Sequence, residues 1–104
     1  MEKIRDCDFK EKVLESSKPV LLYFFSPLQV PCLLVENPLE SLEKAYSDRL
    51  DFYKMDINEC VDTCLKYSVL SVPKMMFFRD GREVAERMGS ASSSVLESFI
   101  KAHI

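Results

Sequence analysis

The side chains with the most reactive chemistry in this 104-residue chain are four cysteines, Cys7, Cys32, Cys60 and Cys64, and a single histidine, His103. Cys32 closes the tetrapeptide Gln29-Val30-Pro31-Cys32, which follows an apolar run and a Ser26-Pro27 break. This pattern places Cys32 in the first turn of a helix, where free backbone amides and the helix dipole favour a thiolate. Disulfide reduction needs thiolate attack and then a second thiol that releases the product. Gln29 carries an amide and cannot serve as a nucleophile. Cys60 and Cys64 lie four residues apart and share one face of a predicted helix. Their Cα atoms would then be about 6 Å apart, near the upper end for a disulfide. A metal site needs three or four ligands, and His103 near the end of the last helix supplies no cluster. No Ser/His/Asp or Cys/His pairing follows from its position, and it reads as solvated. Cys7 reads as a packing residue or a stray thiol.

The bulk properties bound what these thiols can belong to. A length of 104 residues fits one domain, 1–104, with 47% hydrophobic and 30% charged residues. The net charge of −3 and the lack of a dense Lys/Arg patch argue against nucleic acid as a partner. The first residues, Met1-Glu-Lys-Ile-Arg-Asp, are charged and lack the apolar stretch of a signal peptide. No apolar run approaches the roughly 18 residues that span a bilayer. The expectation is a cytoplasmic protein, no membrane partner, and cysteines kept as thiols. No cofactor is indicated.

The elements that would position the thiols are legible in outline. A short edge strand near Lys3–Arg5 precedes a helix capped by Asp6 or Asp8, with Phe9, Val13 and Leu14 at helical spacing. Val20 to Phe25 is a continuous apolar run, as expected of a central strand covered on both faces. Cys32 to about Tyr46 reads as a helix with Leu34, Leu39, Leu42 and Tyr46 on or near one face, kinked at Pro38. A strand over Leu50–Met55, a short helix over about Glu59–Tyr67 and a strand over Lys74–Arg79 follow. Asp80-Gly81 is a hairpin turn signal, and Glu83–Met88 is the partner strand. Ser92 or Ser93 caps a last helix whose apolar face is Val95, Leu96, Phe99 and Ile100.

From Lys18 to Gly89 the chain resembles the thioredoxin family. The resemblance rests on Lys18-Pro-Val-Leu21, Pro31-Cys32 opening a helix, Asp56, Ser71-Val72-Pro73 and Asp80-Gly81 at matching spacing. It implies an α/β thioredoxin fold, βαβαβαββα, with a mixed sheet flanked by helices on both faces. It further implies a cis Val72-Pro73 bond and a peptide-binding groove formed with Leu28, Val72, Pro73 and Gly89. The departures bear on chemistry. The family usually has Trp-Cys-Gly-Pro-Cys, and this chain has Leu28-Gln29-Val30-Pro31-Cys32. Tyr23 stands where the family keeps a buried aspartate, Lys54 matches that aspartate's lysine partner, and Lys74 replaces the threonine after the proline. Pro38 sits one residue later than usual. Cys32 matches the buried, resolving thiol, which has nothing to resolve here. Lys54, if buried, would need a partner, for which the Tyr23 hydroxyl is a candidate. Some family members carry regulatory cysteines in the helix that holds Cys60 and Cys64.

Two functional readings follow. The first is a protein- or peptide-binding module without ordinary dithiol reductase activity. The second is an oxidoreductase or redox sensor that uses Cys32 alone, with glutathione or a partner protein's thiol.

Overall fold

In the computed structural model, which describes residues 1–104, all strands join one sheet. Strands are β1 (Glu2–Lys3), β2 (Val20–Phe25), β3 (Asp51–Asp56), β4 (Lys74–Arg79) and β5 (Arg82–Met88). Helices are α1 (Asp6–Phe9), which continues as a π-helical stretch over Lys10–Leu14, α2 (Val30–Tyr46), α3 (Val61–Lys66) and α4 (Ser93–His103). The sheet order is β1-β3-β2-β4-β5. β1, β3 and β2 run parallel, whereas β4 is antiparallel to β2 and β5 to β4. This is the mixed α/β thioredoxin arrangement that the sequence implies.

All six residues of β2 are buried because the strand is covered twice. Leu21, Tyr23 and Phe25 point to the face covered by α2 and α4, where they pack with Cys32, Val35, Leu39, Leu96 and Ile100. Val20, Leu22 and Phe24 point to the other face, toward Ile4, Phe9, Val13 and Cys60. The period of two along a strand makes this division, and burial on both faces explains why the run is apolar without alternation.

Several boundaries differ from the sequence expectation. The buried stripe of α2 is Cys32, Val35, Leu39, Leu42 and Tyr46, at the 3- and 4-residue steps of one helical face. Leu34 lies off that stripe and is exposed. Pro38 is accommodated inside α2, which runs as one helix to Tyr46. The Asp80-Gly81 turn has positive φ at both residues, the geometry that suits a two-residue hairpin. Gly81 also lies where a Cβ would come within 3.0 Å of the Leu14 carbonyl oxygen. Val72-Pro73 is a cis peptide bond.

Asp6 and Asp8 divide the capping work differently from the expectation. Asp8 completes a capping box at the start of α1, accepting from the Arg5 amide at 3.0 Å. Asp6 instead reaches α3, where it accepts from Thr63 Oγ1 at 2.6 Å, the Thr63 amide at 3.0 Å and the Asp62 amide at 3.2 Å. One aspartate therefore satisfies two orphan donors of a helix 57 positions away in the chain.

Candidate functional site

The site is built on the corner between β2 and α2. β2 ends at Phe25, and the turn through Ser26-Pro27 closes with the Gln29 amide donating to the Ser26 carbonyl at 3.2 Å. Gln29 occupies the N-cap of α2, and its own carbonyl accepts from the Cys32 amide at 3.1 Å. Pro31 fits the first turn, where a missing amide hydrogen breaks no helical bond. Gln29, Val30 and Pro31 are exposed, while Cys32 turns inward and is only 1% exposed. Its sulfur accepts from the Ser26 amide at 3.5 Å.

Behind Cys32 lies a polar cluster that the sequence disclosed in part. Tyr23 is fully buried and donates its hydroxyl to the Cys32 carbonyl at 2.7 Å. Burial, together with the nearby Cys32 and Glu36 groups, pushes the Tyr23 phenol well above its usual range, so it stays neutral. The partner of Lys54 is not Tyr23. The Lys54 ammonium is paired with Glu36 at 2.6 Å and sits 5.3 Å from the centre of the Phe25 ring. Glu36 lies on α2, one turn beyond Cys32, and it supplies the carboxylate that position 23 lacks. Sequence inspection missed it because nothing in its spacing marks it as facing Lys54 across the sheet.

The second half of the site is the loop before β4. Gly89 donates its amide to the Pro73 carbonyl at 2.8 Å, which joins two of the groove residues named from the sequence. Gly89 has φ +88 and open space where a Cβ would go, so backbone conformation rather than crowding calls for glycine. Pro73 is buried, Val72 is half-buried and packs against both core clusters, and Leu28 is 90% exposed. The backbone N–H and C=O of Val72 form no hydrogen bond with other backbone groups. Around the start of α2, Val30, Leu33 and Leu34 are exposed as well, so the corner presents an apolar surface rather than a cleft. Lys74, directly after the cis-proline, is 3% exposed and pairs with Glu86 on β5 at 3.0 Å.

The remaining thiols lie elsewhere. Cys60 is buried at the N-cap of α3, Cys64 is half-buried one turn later, and their sulfurs are 3.5 Å apart. Cys7 is exposed. His103 is half-buried rather than solvated, with its ring 5.1 Å from Phe99 and 5.7 Å from Phe77. No group of three or more His, Cys, Asp or Glu side chains is disposed to hold a metal ion. No helix is long and apolar enough to cross a membrane.

A five-stranded mixed sheet, a strand–turn–helix corner ending in a buried helix-start cysteine, and a cis-proline opening the antiparallel strand together define a thioredoxin-fold protein. The comparisons with known proteins agree. The Thioredoxin family model matches residues 1–102. The chain is 34% identical over 99 residues to Thioredoxin C-2 of Corynebacterium nephridii, covering 95% of this chain and 92% of that one. It is 33% identical over 101 residues to a thioredoxin of Pseudomonas aeruginosa, covering 97% and 94%. It is 32% identical over 101 residues to Thioredoxin 1 of Synechococcus elongatus, again covering 97% and 94%. The chain belongs to the thioredoxin family.

Proposed function

We propose that this protein is a binding module that docks an extended protein segment at Leu28, Val72, Pro73 and Gly89 without reducing disulfides through the 29–32 motif. The observation that carries this reading is the state of that motif. Its exposed position is Gln29, and its sole thiol, Cys32, is 1% exposed. A thiol that a substrate disulfide cannot reach, with no thiol beside it, does not support the two-step exchange. The surface at this corner, by contrast, keeps what strand-like docking uses. Val72 offers a free backbone donor and acceptor, and Leu28 and Val30 offer apolar surface for side chains. Four free cysteines are in keeping with a reducing, cytoplasmic setting.

The second reading, one-cysteine chemistry at Cys32 with glutathione or a partner thiol, draws support from the Ser26 amide that donates to the Cys32 sulfur.

One titration tests the binding reading. S-carboxymethylated insulin B chain, which has no free thiol, is added to isotope-labelled protein, and the amide resonances are followed. Shifts centred on Leu28, Val72 and Gly89 are expected. Shifts confined to other regions, or none at millimolar peptide, would overturn the reading. In parallel, insulin reduction with excess dithiothreitol should show no rate above baseline for the wild type. A rate that disappears in Cys32→Ser would instead establish the one-cysteine reading.

A further inference from the structure

The chain has lost the dithiol of its family's usual site, yet two of its thiols lie closer together than any other reactive pair. The Cys60 and Cys64 sulfurs are 3.5 Å apart, so about 1.5 Å of further approach would reach the disulfide bond length of about 2.05 Å. The freedom for that approach lies in the backbone at Cys60. This residue is the N-cap of α3 with φ −137 and ψ 51, outside helical dihedrals, so the helix does not fix its side chain. The two thiols also differ in access. Cys60 is fully buried, whereas Cys64 is half-buried and lines a cavity of about 390 Å³ with Ile57, Val61, Leu65, Val69 and Leu70. That volume lies in the range of small-ligand pockets, and its lining carries no charged side chain.

We propose that Cys60 and Cys64 form a second dithiol centre, which reduces low-molecular-weight disulfides bearing apolar substituents that seat in this cavity. Cys64 is the attacking thiol and Cys60 the resolving thiol. In the first step the Cys64 sulfur bonds to one substrate sulfur and the substrate S–S bond breaks. The departing thiol carries off the bonding electron pair and takes up the proton that Cys64 gave up. In the second step the Cys60 sulfur attacks the Cys64 sulfur, the Cys60–Cys64 bond forms, and the second substrate thiol leaves with the Cys60 proton. Two electrons pass from the protein dithiol to the substrate, which ends as two thiols. An external dithiol restores the reduced protein by the reverse exchange. The apolar lining selects the substrate class, since a multiply charged disulfide such as glutathione disulfide would find no partner for its charges.

The groups around the pair set which thiol ionises and at what pH the exchange runs. Burial raises both thiols above their ordinary range, and the carboxylate of Asp6 on α1 adds to this for both. Asp56 at the end of β3 raises Cys60 further, while the Lys74 ammonium on β4 pulls Cys64 down. Their mutual contact also favours the thiolate on Cys64 over that on Cys60. Exchange should therefore be slow at neutral pH and rise about tenfold per pH unit as thiolate accumulates.

The test uses dithiodipyridine, an apolar disulfide whose released thione is read by absorbance, on the full chain carrying Cys7→Ser and Cys32→Ser. This background leaves Cys60 and Cys64 as the thiols present. The expected result is two thiones released per folded chain and a tryptic peptide Met55–Lys66 lighter by two hydrogens, with no pyridyl group retained. Adding Cys60→Ala should release one thione and leave a stable mixed disulfide on Cys64. Adding Cys64→Ala should leave Cys60 silent until urea unfolds the chain. Circular dichroism confirms that each variant is folded. The proposal is overturned if neither thiol reacts before unfolding at pH 9, if two labels are retained, or if Cys64→Ala reacts as fast as its parent. Glutathione disulfide reacting as fast as dithiodipyridine would overturn the assigned substrate class.

Discussion

Replacing Asp6 with alanine should destabilise the protein through a helix that Asp6 does not belong to. Three hydrogen bonds end on this carboxylate, from the Thr63 hydroxyl at 2.6 Å and from the Thr63 and Asp62 amides at 3.0 and 3.2 Å. Losing an N-cap costs about 1 kcal/mol. Thr63 is 5% exposed, so its hydroxyl would be left buried without an acceptor, which adds about 1 kcal/mol. The expected loss is about 2 kcal/mol at neutral pH, or a fall of about 10 °C in Tm for a domain of this size. Urea titration followed by far-UV circular dichroism measures it. The pH dependence is a second check. Burial works to raise the Asp6 carboxyl, but the three hydrogen bonds outweigh it and hold the carboxyl below its ordinary value. A carboxyl depressed in the folded state contributes stability that is fully present above its unfolded value of about 3.9 and lost as pH falls through the folded one. The Asp6→Ala penalty should therefore shrink below about pH 4. In a double-mutant cycle with Thr63→Val, the two losses should fall short of additive by about 1 kcal/mol. A penalty under about 0.5 kcal/mol at neutral pH, the scale of an ordinary surface substitution, would refute the assigned cap. So would full additivity with Thr63→Val.

Four further outcomes follow from single residues. Ser68 ends α3 with φ +54, so Ser68→Gly should raise the urea midpoint by an amount equal to about 1 kcal/mol. Gly89→Ala should cost about 1 kcal/mol from backbone strain alone, because nothing lies within 4 Å of the added Cβ, and it should weaken peptide docking in the titration described above. Glu36→Gln removes the 2.6 Å partner of Lys54, a pair whose side chains are 20% and 23% exposed. The expected loss is about 1–2 kcal/mol, between that of surface and fully buried pairs, measured by thermal melting. Cys32→Ser places a hydroxyl in a buried apolar setting and should cost about 1–2 kcal/mol while leaving the fold intact. Global unfolding at room temperature would show that Cys32 contributes far more packing than its size suggests.

Some of the candidate site was legible because it is local. The β2 run, the Ser26-Pro27 break and the tetrapeptide ending at Cys32 succeed one another along the chain, so their order already fixes a strand–turn–helix corner. The Gly89–Pro73 contact was accessible only through resemblance, since the hydrogen bond joins residues 16 positions apart. The α2 stripe was read one residue off at Leu34, because leucine content suggested burial where helix rotation points outward. The pairing of Lys54 went to Glu36 rather than Tyr23. The Tyr23 hydroxyl donates instead to the Cys32 carbonyl, and that choice depends on how α2 lies over the sheet.

By itself the sequence determined the strand and helix segments, the Asp80-Gly81 turn and the absence of a thiol at position 29. Each of these is a matter of residue type and of periodicity within a few residues, which backbone geometry enforces wherever the segment sits. Only the tertiary structure decided that Asp6 caps α3, that Glu36 meets Lys54, that Cys32 is sealed from solvent, and that Cys60 and Cys64 stand 3.5 Å apart beside an apolar cavity. Those contacts depend on sheet order, helix rotation and side-chain rotamers. They are fixed by how two layers pack on the sheet rather than by spacing along the chain.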